Sequence, residues 1–168
     1  ASLNLLQFRN NETAKFDVES YEHAVRLWTM VLEISVLMAQ FPSKEIARLS
    51  YDYRTLGLGF ANIGGLLMTN GIAYDSHQGR AICGALSAIM TGISYATSAE
   101  MAKELGPFPG FAKNREHMLR VMRNHRRAAY GAAVGYEAVR IAPVPLDETD
   151  CPDGDLIAHA RKAWDLAV

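Results

Sequence analysis

Two cysteines, Cys83 and Cys151, are the only thiols in the chain, and its imidazoles are His23, His77, His117, His125 and His159. A catalytic or metal-bearing thiol or imidazole usually has partners at a fixed spacing: a CxxC pair, a HExxH turn, or histidines four apart on one helix face. None of these spacings occurs here. Cys83 stands between Ile82 and Gly84, on a helical stripe that includes Leu86, which is a core position for a free cysteine. Cys151 lies between Asp150 and Pro152 in a loop and reads as incidental. Neither a metal site nor a catalytic residue is expected within the chain.

A second candidate is Leu56-Gly57-Leu58-Gly59-Phe60, a short apolar strand with two glycines. Such a strand marks a place where a ligand or another backbone comes close. The next glycine is Gly64, so the spacing is not that of a dinucleotide fingerprint, and no P-loop pattern follows. Strand-to-helix packing is one reading. The other is a wall that lets a cofactor or substrate approach, which makes Gly57, Gly59 and Phe60 the candidate cofactor-binding residues. A third candidate is the basic run Lys113, Arg115, Arg120, Arg123, Arg126 and Arg127, which could meet nucleic-acid phosphates. Met118, Leu119, Val121 and Met122 give the same helix an apolar stripe, so a solvated face is the plainer reading. Its arginines could also pair with the acidic stretch Asp147–Asp155. Met30, Met38, Met68, Met90 and Met101 fall at helical spacing and read as core filler.

The elements that must position these groups follow from periodicity and punctuation. Ser2–Phe8 reads as a strand. Asp17 caps a helix over Val18–Gln40, with Tyr21, Val25, Trp28, Leu32 and Ser35 on one stripe. Ser43 caps a helix over Lys44–Tyr53. After the glycine strand, Phe60–Thr69 resumes helical spacing and Asn70-Gly71 closes it. Asp75 or Ser76 caps the longest helix, His77–Leu105, which Gly106-Pro107 ends. Phe108–Lys113 is a turn, Asn114 caps a helix over Arg115–Ala128, Gly131–Leu146 is irregular, and Asp153 or Asp155 starts the last helix. The fold class is mainly α with two or three short strands. Those strands have no partners in this chain, and unpaired buried ladder groups are costly. An internal piece of a larger protein, cut at both ends, is therefore expected.

The chain has 168 residues, enough for one domain with a sizeable core. Hydrophobic residues make up 49%, charged residues 21%, and the net charge is −1, so no global field favours nucleic acid or a membrane surface. Separated cysteines suit a reducing compartment, and a cytoplasmic location is expected. No signal peptide is visible, and no uninterrupted apolar run reaches the ~18 residues of a membrane span; residues 81–99 come nearest.

SKEIARLSYDYRTLGLGFANIGGLLM, then GIAYDS, then ATSAEMAKELGPFPGF, resembles the large-subunit barrel of ribonucleotide reductases. The opening ASLNLLQF, HAVRLWTMVLEISVLMAQFPSKEIA, ICGALSAIMTGISYATSAEMAKELGPFPGFAKNREHMLRVMRNHRRAAYGA and PVPLD resemble the adenosylcobalamin-dependent (class II) enzymes in particular. The resemblance covers nearly the whole chain; its last 18 residues are the least distinctive. It implies that residues 1–168 are a fragment of a ten-stranded α/β barrel, near its middle. It implies a parent that reduces ribonucleotides at C2′ through a cobalamin-initiated cysteine thiyl radical, with a thioredoxin-type reductant. The family's Asn-x-Cys-x-Glu motif, reducing cysteine pair and Pro-Thr-Gly-Thr loop are absent from residues 1–168, so the fragment alone is expected to be inactive. The alternatives are a metal-dependent (class I) large subunit, or a non-enzymatic helical module whose basic helix binds nucleic acid or a partner.

Overall fold

A computed structural model describes residues 1–168 as six α-helices and two short strands. The strands are β1 (Ser2–Asn4) and β2 (Gly59–Ala61). The helices are α1 (Val18–Met38), α2 (Lys44–Tyr53), α3 (Ile63–Thr69), α4 (His77–Leu105), α5 (Phe111–Ala129) and α6 (Gly154–Ala167). A 3-10 turn, Leu5–Phe8, follows β1.

β1 and β2 lie parallel, with Ser2 opposite Gly59, Leu3 opposite Phe60 and Asn4 opposite Ala61. The strands therefore do have a partner in this chain, namely each other. This corrects the expectation that they would be unpaired. Parallel neighbours need a crossover, and α1 and α2 supply it, making a βαβ unit. A two-stranded sheet still leaves the outer edge of each strand without a ladder.

α4 is the centre of the core. Ile82, Leu86 and Ile89 pack against Tyr21 and Val25 of α1 and Leu156 and Ile157 of α6. Along the α4–α6 contact the residues are small: Ala85, Gly92 and Ala96 on α4, and Ala160, Ala163 and Ala167 on α6, all buried. Small side chains let two helix backbones come close, and a Cβ added at Gly92 would stand 2.8 Å from the Ala163 Cβ. By length and composition α4 could cross a membrane, but half of its most apolar window is buried against the other helices. A core helix passes the same test. A second, smaller cluster joins Ala96, Met122, Ala129, Trp164 and Ala167 where α4, α5 and α6 meet.

The capping residues set the boundaries. Asp17 accepts from the Ser20 amide, Ser43 from Ile46, Ser76 from Gly79 and Asp153 from Asp155. Of the paired alternatives, Ser76 and Asp153 are therefore the caps. Several expectations differ. Leu5–Phe8 leaves the strand for a 3-10 turn because the Asn4 side chain takes the Leu6 amide at 3.2 Å. α1 stops at Met38, two residues early. β2 begins at Gly59, and α3 begins at Ile63 because Asn62 is left-handed, with φ +68°. α5 begins at Phe111, so Asn114 is inside it; its side-chain amide donates to the Gly110 carbonyl at 2.9 Å. On α1 the buried stripe is Tyr21, Val25 and Thr29, while Trp28 is exposed. The Thr29 hydroxyl can turn inward because it bonds the Val25 carbonyl at 2.8 Å. Met90 is buried, but Met38 and Met68 are exposed and are not core filler within this chain.

α2 is fixed to α1 by Arg54. This residue ends α2 with φ +47°, and its guanidinium reaches the Glu33 carboxylate at 2.6 Å and the Glu33 carbonyl at 3.3 Å. Only 14% of the Arg54 side chain and 25% of Glu33 are exposed, so the pair is poorly screened. Arg54→Ala is expected to lower stability by about 1.5–3 kcal/mol, the range for hydrogen bonds to charged groups. Arg54→Lys is expected to recover only part, since a lysine cannot make the forked contact. Urea unfolding of the three proteins checks both.

Candidate functional site

The glycine strand sits at the edge of the fold. Gly59 N donates to the Ala1 carbonyl at 3.0 Å, and the Gly57 carbonyl accepts from the Ala1 amino group at 3.1 Å. A Cβ at Gly57 would meet nothing within 4 Å, and one at Gly59 only the Ser2 Oγ at 3.8 Å. Neither glycine has a positive φ. Thus no turn and no close packing inside residues 1–168 requires glycine at either position. Phe60 is half-buried against the main core. Together the three make an open stretch of backbone backed by one ring. They offer no side-chain donor or acceptor and are not among the residues lining the two grooves described below. Any polar contact made by the two glycines would therefore run through backbone N–H and C=O groups.

At the carboxyl ends of the same strands, Asn62 Nδ2 donates to Asn4 Oδ1 at 2.8 Å. This amide pair had no signal in spacing, because its members are 58 positions apart. Parallel pairing alone brings them together.

The thiols are apart from one another and both are free. Cys83 is half-buried beside a groove of about 240 Å³ that Leu67, Tyr74 and Gly79 also line. Cys151 is less incidental than expected. It packs against the main core and its thiol donates to the Asp153 carbonyl at 3.4 Å, at the start of α6. Burial pushes its pKa up, with the carboxylates of Asp153 and Asp147 adding to the shift. A raised pKa makes it a poor thiolate and a poor nucleophile. Tyr21 is likewise silenced: fully buried, its phenol is pushed far above the ordinary range by burial first, and it donates to the Leu86 carbonyl at 3.3 Å. No three of the chain's His, Cys, Asp and Glu side chains gather as a metal-ligand set.

Two arginines of the basic helix α5, Arg123 and Arg126, are committed to acids elsewhere in this chain. Arg123 meets the Glu137 carboxylate with both arms of its fork, each at 2.8 Å. Asn124 meets the Glu137 backbone twice, accepting from its amide at 2.8 Å and donating to its carbonyl at 3.0 Å. Arg126 bonds Asp165 at 2.6 Å, and the Tyr130 hydroxyl donates to the same carboxylate at 2.7 Å. The partners are therefore Glu137 and Asp165, rather than the acidic stretch Asp147–Asp155. That stretch contributes Glu148, which pairs with Arg161 of α6 at 2.5 Å. Arg126 and Arg161 also stand over the Tyr130 ring, 5.6 and 5.5 Å from its centre. These contacts strap the irregular segment 131–153 onto α5 and α6. Sequence reasoning missed Glu137 because a lone acid in a loop carries no pattern.

The strap responds to acid in a defined sense. The Arg123 hydrogen bond holds the Glu137 carboxyl below its ordinary value, with further help from the charges of Arg123, Arg120 and Arg127. A carboxyl whose folded pKa is depressed stabilises the fold above its unfolded pKa and loses that contribution as pH falls through the folded one. Acidification below the ordinary carboxylate range is therefore expected to release the strap, and Glu137→Gln to release it at neutral pH. Amide hydrogen exchange over residues 131–141, measured against pH, checks this.

Between α4, α5 and residues 144–147 lies a groove of about 490 Å³, lined by His77, Arg80, His125, Leu146, Asp147 and Trp164 among others. The His125 ring stacks on Trp164, centres 4.9 Å apart and planes at 4°. Burial lowers the His125 pKa. His77 faces Asp150 at 3.7 Å and Arg80 is held by Asp75 at 2.6 Å. Two of the groove's ionisable side chains, His77 and Arg80, are thus paired with acids.

Comparison with known proteins gives these parts a common frame. A family model described as "Ribonucleotide reductase, barrel domain" matches residues 1–165. The chain is similar to proteins named vitamin B12-dependent ribonucleotide reductase. It is 68% identical over 168 residues to that of Agrobacterium fabrum and 68% identical over 168 residues to that of Bradyrhizobium diazoefficiens, in each case 100% of this chain and 13% of the relative. It is 45% identical over 167 residues to that of Streptomyces clavuligerus, which is 98% of this chain and 16% of the relative. The chain thus spans about an eighth of the length of the first two.

Proposed function

We propose, on the premise that this chain belongs to the ribonucleotide reductase barrel-domain family, that it is an internal part of an adenosylcobalamin-dependent ribonucleotide reductase. The carrying observation is the 68% identity over all 168 residues to relatives named for vitamin B12 dependence. It also favours the cobalamin enzyme over the metal-dependent class. The commitment of Arg123 and Arg126 to intramolecular acids counts against a nucleic-acid-binding helix.

The reading assigns β1 and β2 to a ten-stranded barrel, whose other strands extend the two open edges. α1, α2, α4 and α6 then pack behind them. The reaction converts a ribonucleotide to a deoxyribonucleotide for DNA synthesis in the cytoplasm, with a thioredoxin-type protein as reductant. The cofactor, when bound, supplies the radical that oxidises a cysteine outside residues 1–168. Within this chain Gly57, Gly59 and Phe60 form a wall, and residues elsewhere in the parent hold the corrin and the substrate phosphates. The chain's part in the chemistry is to exclude water and fix the strands that shape the cavity.

Two measurements test this. The full-length parent is expected to reduce ribonucleotides only when adenosylcobalamin is added, and residues 1–168 alone are expected to give no turnover. Activity of the parent with a metal and without cobalamin would overturn the reading. In the parent, Gly59→Ala is expected to leave the melting temperature within about 2 °C, since a Cβ has room inside this chain. The same change is expected to raise the cobalamin or nucleotide concentration needed for half-maximal activity. Unchanged affinity for both would remove Gly59 from the wall.

A further inference from the structure

Over its last three turns, α1 has no charged face. From Leu27 to Phe41 the only charged side chain is Glu33, and Arg54 holds it. Leu27, Val31, Ile34 and Met38 repeat at intervals of four, three and four residues. At about 100° per residue they form one stripe on the side of the helix opposite Tyr21, Val25 and Thr29. The inner stripe is buried. The outer four are 44%, 45%, 54% and 76% exposed. A helix apolar on both sides is normally enclosed on both. A membrane surface does not suit this stripe, because interfacial helices carry lysines or arginines on their polar face, and this stretch has none.

We propose that the Leu27–Val31–Ile34–Met38 stripe is a docking seam for a helix of the same polypeptide, lying outside residues 1–168. Three observations select that occupant. The chain accounts for 13% of the relatives' length, so most of such a polypeptide lies elsewhere. The spacing is that of a helix–helix seam, the i, i+4, i+7, i+11 row of knobs that enters the grooves of a second helix. The seam lacks charge along its length, so an apolar helical face complements it and an ionic partner does not. The proposal rests on the reading of the chain as part of a longer reductase, and it adds which face of α1 the remainder covers.

The test uses the full-length parent and is independent of activity. Ile34→Cys and, as an exposed control, Asp75→Cys are made singly, and each new thiol's alkylation rate is read by peptide mass spectrometry after normalisation to the denatured protein. The Asp75 side chain is 94% exposed. The thiol introduced at position 34 is expected to react at least ~tenfold more slowly than the one at position 75, at every protein concentration, because reaction there requires local opening. Similar rates at the two sites would overturn the seam. Slow reaction that disappears on dilution to the monomer would assign the seam to a second copy and overturn the same-chain occupant. Protection of the position-34 thiol in a parent lacking cobalamin-dependent reduction would support the seam while removing the functional reading, so the two can fail separately.

Discussion

Trp164→Ala is expected to be the most damaging single truncation in this chain, lowering stability by about 3–5 kcal/mol. Trp164 is 1% exposed and is the largest fully buried side chain. It joins α6 to Met122 and Ala129 of α5 and to Ala96 of α4, and its ring supports His125 in parallel stacking. Removing it empties a site that three helices share, so no single side chain can move in to fill it. The loss would be read as a lower urea midpoint at unchanged slope, followed by circular dichroism. His125 would gain solvent, relieving the burial that now lowers its pKa, so its titration would move up toward the free-imidazole value. A small loss of stability with His125 unmoved would mean that the α5–α6 cluster is not part of the cooperative core.

The second large effect is expected from adding matter. Gly92→Ala places a methyl 2.8 Å from the Ala163 Cβ and 3.1 Å from the Ala163 carbonyl carbon, where backbone on both sides resists movement. Overpacking of this kind costs about 1–3 kcal/mol, and Gly92→Val is expected to cost more. Gly84→Ala is the control on the same helix. Its Cβ would meet the Leu146 Cδ1 at an ordinary 3.5 Å, and alanine is the better helix former by about 1 kcal/mol. The two glycine substitutions should therefore move the unfolding midpoint in opposite directions. If both stabilised, the close α4–α6 approach would be wrong.

What could be read from the sequence divides along a physical line. Ser43, Ser76, Asp17 and Asp153 each satisfy amides within three residues of themselves, so α2 and α4 were located to the residue. Asn62 shows the limit of that logic. Helical spacing runs back to Phe60, but the Leu3–Phe60 pairing holds Phe60 extended, and the left-handed Asn62 then starts α3 late. Thr29 displaced Trp28 from the buried stripe because a hydroxyl bonded to its own helix loses its polarity cost. Among site residues, Gly57 and Gly59 were visible as glycines. Their openness depends on what stands opposite them, which only the folded chain decides. Glu137 and Asp165 were invisible because ion pairing across 14 and 39 positions leaves no local pattern.

The parallel pairing of Ser2 with Gly59 also governs the order of events when this polypeptide first folds. Nothing local rewards the two strands: each is three residues long, and they meet only after the whole α1–α2 crossover has been laid down. Closing so long a loop costs entropy before any ladder bond returns it. α1, α2 and α4 are local and can form early, whereas the β1–β2 pairing must wait for Gly59 to emerge from the ribosome. Leu3 and Leu5, both buried in the finished fold, gain that part of their cover only then. Within the βαβ unit, the β1–β2 ladder is thus the contact that forms last.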